Sequence, residues 1–275
     1  MLDLIKVILL GIVEGVTEFL PISSTGHLIV AVALLKPNFS AALAGTFEIF
    51  IQLGAVLAVV AFYRADLWQQ VKTVRTDKRT QHFWVALVIA CIPAALLAFA
   101  LRNFIKTTLF SPIVVAISLI VGGVAILLLE RMLAKRRQAD ITASDALMDV
   151  SYRQALVIGL IQGISLIPGV SRAAASIFGG MLMGLNRETA TRFSFYLAIP
   201  TLGGATILDL LLSLDEIQSS DLIYLAVGAL VSAVVAWVVV GWLLRYISRH
   251  DFTTFGYYRI AAGVVILLLA ALALL

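Results

Sequence analysis

Apolar residues fall along this chain in long blocks, at about 42–63, 82–101, 110–130, 190–212, 221–244 and 256–275. A helix needs about 17 to 25 mostly apolar residues to cross roughly 30 Å of hydrocarbon, so each block predicts one transmembrane helix. Two further apolar regions break in the middle: residues 1–36 at Pro21-Ile-Ser-Ser-Thr-Gly-His27, and residues 152–184 at Pro168-Gly-Val-Ser-Arg172. Each leaves two helical pieces, too short to span alone, around a polar loop. That is the pattern of a hairpin that enters the membrane and leaves on the same side. Irregular backbone at such depth is tolerated only where protein buries it or a wet cavity receives it. The predicted fold is an all-α integral membrane protein with about six transmembrane helices plus two re-entrant helix hairpins.

Composition agrees. Of 275 residues 61% are hydrophobic and only 13% charged, against roughly 25% charged in a soluble domain. The chain therefore reads as a single membrane domain, 1–275, and a multi-pass protein. Its net charge of +4 does not point to nucleic acid, because the basic residues sit in short segments between apolar blocks rather than on one face. With hairpins that do not cross, the loops at 64–80 (Arg64, Lys72, Arg75, Lys78, Arg79), 131–149 (Arg131, Lys135, Arg136, Arg137) and 245–255 (Arg245, Arg249) share one side. The positive-inside rule makes that side cytoplasmic and places both termini outside. The opposite loops are poorer in base: 102–109 has Arg102 and Lys106, and 213–221 has Asp215, Glu216 and Asp221. The first segment does not read as a cleaved signal peptide, since Asp3 precedes the apolar run, Glu14 and Glu18 lie within it, and no small-x-small cleavage site follows. Cys91, the single cysteine, lies in an apolar run and reads as a packing or lipid-facing residue.

The chain also repeats itself. Gly11-Ile-Val-Glu-Gly-Val-Thr17 matches Gly159-Leu-Ile-Gln-Gly-Ile-Ser165, each followed by Pro and then Ser, and Phe47–Leu53 is loosely echoed at Phe193–Ile199. Two copies, at about 1–130 and 150–275 with a basic cytoplasmic linker at 131–149, would each hold one hairpin and three spans. Three is odd, so the second copy is expected upside down relative to the first. Inverted repeats with broken helices place a binding site near the midplane, where the two polar loops meet.

Four groups of residues are candidates for chemistry. Glu14 and Glu18 are four apart on one helical face. A carboxylate in an apolar segment costs a few kcal/mol on insertion scales, so a purely structural role is disfavoured. The pair suits either a hard cation such as Mg²⁺ or Ca²⁺ or acid–base work. Ser23, Ser24, Thr25 and His27 offer hydroxyls near an imidazole, although Ser23 or Thr25 would equally cap the helix that continues as Leu28-Ile-Val30. Arg172, with Ser171 at a helix start near Ala173, suits an anion: guanidinium binds phosphate oxygens and a helix N-terminus adds donors. A structural ion pair with the glutamates is its alternative role. Glu48 and Gln52 share one face of the first span and Gln162 occupies the repeat position of Glu14, which suits orienting roles. Arg187 and Arg192 read as snorkelling or topological residues, and Trp237, Trp242, Tyr257 and Tyr258 as interfacial belts or packing. No Walker or dinucleotide pattern and no Cys/His metal cluster is present in the sequence.

At Glu14-Gly-Val-Thr-Glu18-Phe-Leu-Pro-Ile-Ser-Ser-Thr-Gly-His27 the sequence resembles the undecaprenyl-pyrophosphate phosphatase family, whose members confer bacitracin resistance. Pro168-Gly-Val-Ser-Arg172, Phe47-Glu48-Ile-Phe-Ile-Gln-Leu-Gly54, Gly179-Gly-Met-Leu-Met-Gly184 and Phe193-Ser-Phe195 resemble its other motifs. The resemblance implies a bacterial inner-membrane enzyme. It would convert undecaprenyl pyrophosphate to the monophosphate, recycling the carrier for peptidoglycan and other envelope polymers, with help from a divalent cation (Mg²⁺ or Ca²⁺). It also implies roles: Glu14 and Glu18 in metal binding or catalysis, Ser24 and His27 in attack and proton transfer, and Arg172 in phosphate binding. Ser23, Thr25, Ser171, Ser176 and Glu48 complete the implied substrate contacts. The first hairpin would face the external side, and a homodimer is one assembly compatible with this. One departure stands out. The family's second motif usually continues Ser-Gly-x-Thr, whereas this chain has Ala173-Ala174-Ala175-Ser176, which puts the donors of the second loop in question but not Arg172.

Two other readings compete. A polyprenyl-phosphate transporter or flippase would use the same inverted repeats and intramembrane charges, but has no need of a Ser-Ser-Thr-Gly-His cluster beside paired carboxylates. The acid-phosphatase-like lipid phosphatases expect a His and Asp downstream of Ser-Arg. Here no His follows Ser171-Arg172 before His250.

Overall fold

The computed structural model describes residues 2–39, 41–136, 147–213, 221–272 and 274. It is built of helices, with no strand among the described residues. The first broken region forms α1 (Leu2–Thr17) and α2 (Ser24–Leu35); then come α3 (Ala41–Phe62), α4 (Arg64–Thr73), α5 (Lys78–Phe104) and α6 (Pro112–Arg136). The second broken region forms α7 (Tyr152–Gln162), a 3₁₀ turn and α8 (Arg172–Leu182), followed by α9 (Arg187–Ser213), α10 (Leu222–Ile247) and α11 (Thr253–Ala271).

All six predicted spans fall on helices, α3, α5, α6, α9, α10 and α11. Among the described residues, α5, α6, α10 and α11 contain four stretches long and apolar enough to cross a membrane, and α3 with α4, bent by 70°, would add a fifth if the pair is one broken span. The chain is an all-α integral membrane protein. The broken regions are different: α1 has 16 residues and α7 has 11, which at 1.5 Å per residue reach about 24 and 17 Å, short of the hydrocarbon thickness.

Polar contacts sort the helix ends into two groups. Arg79 donates two 2.7 Å bonds to Asp149, and His82 Nε2 lies 3.0 Å from the Val150 carbonyl, so the start of α5 meets the start of α7. Gln154 on α7 donates to the Met183 carbonyl just past α8. Arg187 at the start of α9 pairs with buried Glu130 on α6, which also accepts from the Phe252 amide before α11 at 3.0 Å. The three basic segments therefore converge on one end, together with both ends of the α7–α8 hairpin. The ends of the α1–α2 hairpin meet elsewhere, where Lys6 donates to the Lys36 carbonyl and the Asn38 amide to Asp3.

Several sequence expectations change. Residues 64–73 are helix α4 rather than loop, 131–136 continue α6, and 105–109 continue α5 as a π-helical turn. Part of the linker, 137–146, lies outside the described residues. Arg187 is not a snorkelling side chain: it is inside a buried ion pair, its partner Glu130 hidden among the helices.

Helix contacts come in matched pairs. α1 packs on α10 as α7 packs on α5; α1 packs on α2 as α7 packs on α8; α3 meets α9 and α6 meets α11 across the middle. Close approach depends on glycine. A Cβ placed on Gly54 of α3 would lie 2.1 Å from the Ala229 carbonyl oxygen of α10. Because the obstruction is backbone, the helices would have to separate. Gly54→Ala is expected to destabilise the fold by roughly 1–3 kcal/mol, read as a lowered thermal midpoint in detergent; an unchanged midpoint would refute the close contact.

Candidate active site

Each broken helix restarts the same way. Ser23 and Ser171 occupy the N-cap positions of α2 and α8 with φ/ψ of 72/101° and 76/118°. Non-glycine residues rarely adopt positive φ, and holding one there costs of order 1–3 kcal/mol. Finding the same outlier twice, one residue before each helix, marks the two loops as matched turns. They are not matched in capping. Ser171 Oγ accepts from the Ala174 amide at 3.2 Å, as a capping serine does, whereas the buried Ser23 side chain makes no capping bond.

The first helical residues, Ser24 and Arg172, meet on one carboxylate. Ser24 Oγ donates to Glu18 Oε2 at 2.6 Å, and Arg172 Nη2 donates to Glu18 Oε1 at 3.1 Å. All three side chains are buried or nearly so. Both helix N-termini, with their free amides and positive dipole ends, thus open at Glu18. Arg172 is held from behind: its Nη1 donates to the carbonyl and hydroxyl of Ser194, and its guanidinium lies over Phe19, 5.6 Å from the ring centroid. Ser176 does not reach out as a phosphate donor would. It is buried, 2.7 Å from Ser194 Oγ and bonded to the Arg172 carbonyl, so it braces the arginine.

Glu14 is 1% exposed and neither carboxylate oxygen has a hydrogen-bond partner among the described residues. The charged groups within electrostatic reach are Glu18, Glu48 and Arg172. Two buried bare oxygens on an acidic residue are what a hard cation would need. No group of three or more His, Cys, Asp or Glu side chains suited to a metal occurs among the described residues. A cation on Glu14 and Glu18 would therefore draw further oxygens from a bound phosphate, the usual manner of Mg²⁺.

His27 stands apart from the serine. Its Nδ1 lies 2.7 Å from the Ser23 carbonyl and its Nε2 2.6 Å from Tyr258 Oη, with the two rings nearly parallel. A carbonyl only accepts, so Nδ1 carries a proton, and in the neutral ring Nε2 accepts from the tyrosine. The expected Ser24–His27 pair is not formed; Glu18 holds the serine instead. Tyr258 is this histidine's partner as well as an outer-surface aromatic. Thr25 is half-buried, and Glu48 is exposed on α3.

Two residues of this site were not singled out from the sequence pattern. Ser194 shows only as the middle of Phe193-Ser194-Phe195. Arg259 is fully buried and bonded to carbonyls of both broken loops. Its signal is an ionisable residue inside the last apolar helix, which reads as interfacial because it stands near that helix's start.

Glu18 and Arg172 form a buried pair, so removing one partner strands the other. Glu18→Gln is expected to destabilise by about 3–5 kcal/mol, and Glu18→Gln/Arg172→Met by less than the two single changes combined. Denaturation in detergent checks this, and simple additivity would show the pair to be energetically independent.

The comparisons with known proteins can be set beside this geometry. The family described as "Bacitracin resistance protein BacA" matches residues 7–265. The undecaprenyl-diphosphatase of Deinococcus radiodurans is 46% identical over 271 residues, 98% of this chain and 96% of its own length. Those of Cupriavidus necator and Herminiimonas arsenicoxydans are 45% and 47% identical over 280 and 266 residues, each covering 97% of this chain and 95% of its own length. With a match running through nearly every helix and both broken loops, the chain belongs to the bacitracin resistance protein BacA family.

Proposed function

We propose that this protein hydrolyses undecaprenyl pyrophosphate to undecaprenyl phosphate and inorganic phosphate, recycling the lipid carrier for peptidoglycan and envelope polymers and conferring bacitracin resistance. The observation that carries the reading is the convergence of Ser24 and Arg172 on Glu18 at two facing helix N-termini. It is joined by the full-length likeness to proteins named undecaprenyl-diphosphatase. The transporter reading finds no support in those names.

In this reading the prenyl tail lies in the bilayer and the diphosphate sits where α2 and α8 begin. Arg172 exchanges part of its contact with Glu18 for the terminal phosphate oxygens. Ser24 Oγ forms a bond to the terminal phosphorus, and the anhydride P–O bond breaks. Its electron pair leaves on the bridging oxygen of the prenyl monophosphate, and the serine proton passes to Glu18 Oε2, 2.6 Å away. Water then cleaves the phosphoserine. A divalent cation on Glu14 and Glu18, Mg²⁺ or Ca²⁺, would neutralise charge on the diphosphate. His27, held by Ser23 and Tyr258, keeps the first turn of α2 in place, and Ser23, Thr25 and Ser171 line the two loop ends.

The reading places the protein in the bacterial inner membrane with the α1–α2 hairpin opening outward. It is supported by the gathering of the basic segments at the opposite end, which the positive-inside rule assigns to the cytoplasm. Two inverted repeats, about 1–130 and 150–275, fit the paired helix contacts, the twin serine turns and the separate ends of the two hairpins. A homodimer is compatible with this reading.

Phosphate release from undecaprenyl pyrophosphate by purified protein in detergent tests the proposal. Ser24→Ala is expected to lower kcat at least about 10³-fold, Arg172→Ala and Glu18→Gln to abolish measurable turnover in folded protein, and chelator to suppress release. Folded wild type with Mg²⁺ or Ca²⁺ present and no phosphate released would sink the phosphatase reading; a Ser24→Ala variant near wild type would transfer attack to water.

A further inference from the structure

The loops that break α1–α2 and α7–α8 expose carbonyls that no helix can satisfy. One side chain takes carbonyls from both loops. Arg259, fully buried on α11, donates from Nη1 to the Pro21 and Val170 carbonyls at 3.1 and 2.9 Å. Its Nη2 donates to Gly169 and Ser118 at 2.9 and 3.2 Å, and its Nε to Leu119 at 3.4 Å. No acidic residue pairs with it among the described residues. The acceptors are telling: Pro21 lies two residues before Ser23, and Val170 one before Ser171, the two positive-φ turns that aim Ser24 and Arg172.

We propose that Arg259 is a positioning residue for the reaction. By holding both loops on one planar fork, it sets the distance between the two helix starts and so brings Ser24 and Arg172 together on Glu18. The geometry favours this over a role in packing alone. A residue that only packs would leave its polar atoms without a pattern, whereas the hydrogen bonds of this one all go to backbone oxygens, and to those of both halves of the site at once. Arginine alone can do so, since lysine concentrates its donors at one point and cannot span separate carbonyls. α6 is shaped to receive it: a Cβ on Gly122 would lie 2.2 Å from Arg259 Nη2 and 2.8 Å from Cζ.

The inference rests on the phosphatase reading for its kinetic test, and hydrogen exchange gives a test that does not. Two variants are informative. Arg259→Lys keeps the charge and removes the fork. Gly122→Ala keeps the arginine but drives a methyl group into it, while alanine favours the helix over glycine, so any loss is not a helix-propensity effect. For both, kcat is expected to fall about 10²-fold, as for displacement of reacting groups by about 1 Å, with KM within about threefold of wild type. Exchange should quicken in residues 18–24 and 167–172 together. A merely structural role would lower the thermal midpoint and leave the kcat of folded protein unchanged. A role in attracting the anionic substrate would raise KM and spare Arg259→Lys. Either result overturns the proposal, as does loosening of one loop only or of neither. If Arg259→Lys does not fold, Gly122→Ala decides. Wild type that releases no phosphate would defeat the phosphatase reading, while the exchange data would still decide whether Arg259 joins the loops.

Discussion

In hydrocarbon a backbone carbonyl without a partner costs several kcal/mol, and a broken helix creates a set of them in the middle of the membrane. This fold contains two such breaks, and it brings them face to face so that one guanidinium serves both. Arg259 takes carbonyls from Pro21, Gly169 and Val170 in the loops and from Ser118 and Leu119 on α6. The rest of the site hangs on that joint. The strained serines, the helix starts behind them and the carboxylate on which those helices converge all lie within a few residues of its acceptors. The buried cation is tolerable because five carbonyl dipoles replace its water shell, and it needs no carboxylate that would compete with the site's own chemistry.

The coarse architecture was legible because lipid imposes a simple code. Length and apolarity of a block decide whether it spans, and the positions of Pro21 and Pro168 with their neighbouring serines reveal where spans are broken. Gly15 and Gly163, at matching positions of the two broken regions, both lie where another helix approaches closely. What did not show was pairing. Glu130 and Arg187 are 57 residues apart, and nothing in either segment says that one is the other's counter-ion. His27 and Tyr258 are 231 apart, so the histidine was read against the hydroxyls beside it in sequence. Proximity in sequence misled there: Ser24 and His27 lie on the same first turn of α2, but Glu18, across the loop, takes the serine. Helix α4 was hidden because its polar residues resemble a loop once removed from the apolar count.

The two halves of the site differ in the residues they carry at matching positions. Glu14 in the first hairpin stands where Gln162 stands in the second, and Ser24 stands where Arg172 does. Thr25 and His27 stand opposite Ala173 and Ala175. The first hairpin carries acids and a hydroxyl, and the second carries a cation with alanines beside it. Those alanines have a structural use in this chain. Ala173, Ala174 and Ala175 are all buried, and Ser176 is turned inward to Ser194 to brace Arg172. The departure from the family's usual second motif therefore falls on residues that pack the arginine's helix, and leaves the arginine itself in place.

Charge balance completes the logic. Glu14 and Glu18 face Arg172, with Glu48 also within electrostatic reach of Glu14 and Arg259 deeper in the loops. A diphosphate adds negative charge to a region whose arginines are already engaged, one by Glu18 and one by carbonyls. Arg172 cannot serve Glu18 and the phosphate fully at once, so the carboxylate must gain compensation as the substrate arrives. In the proposed reaction two sources would be available: the proton leaving Ser24, whose Oγ lies 2.6 Å from Glu18 Oε2, and a hard cation, for which the bare oxygens of Glu14 would be ligands. Both would act on the same pair of acids, and both would count most when the terminal phosphate carries its greatest charge. That timing would distinguish the proposed catalytic arrangement from an ion pair that merely holds two helices together.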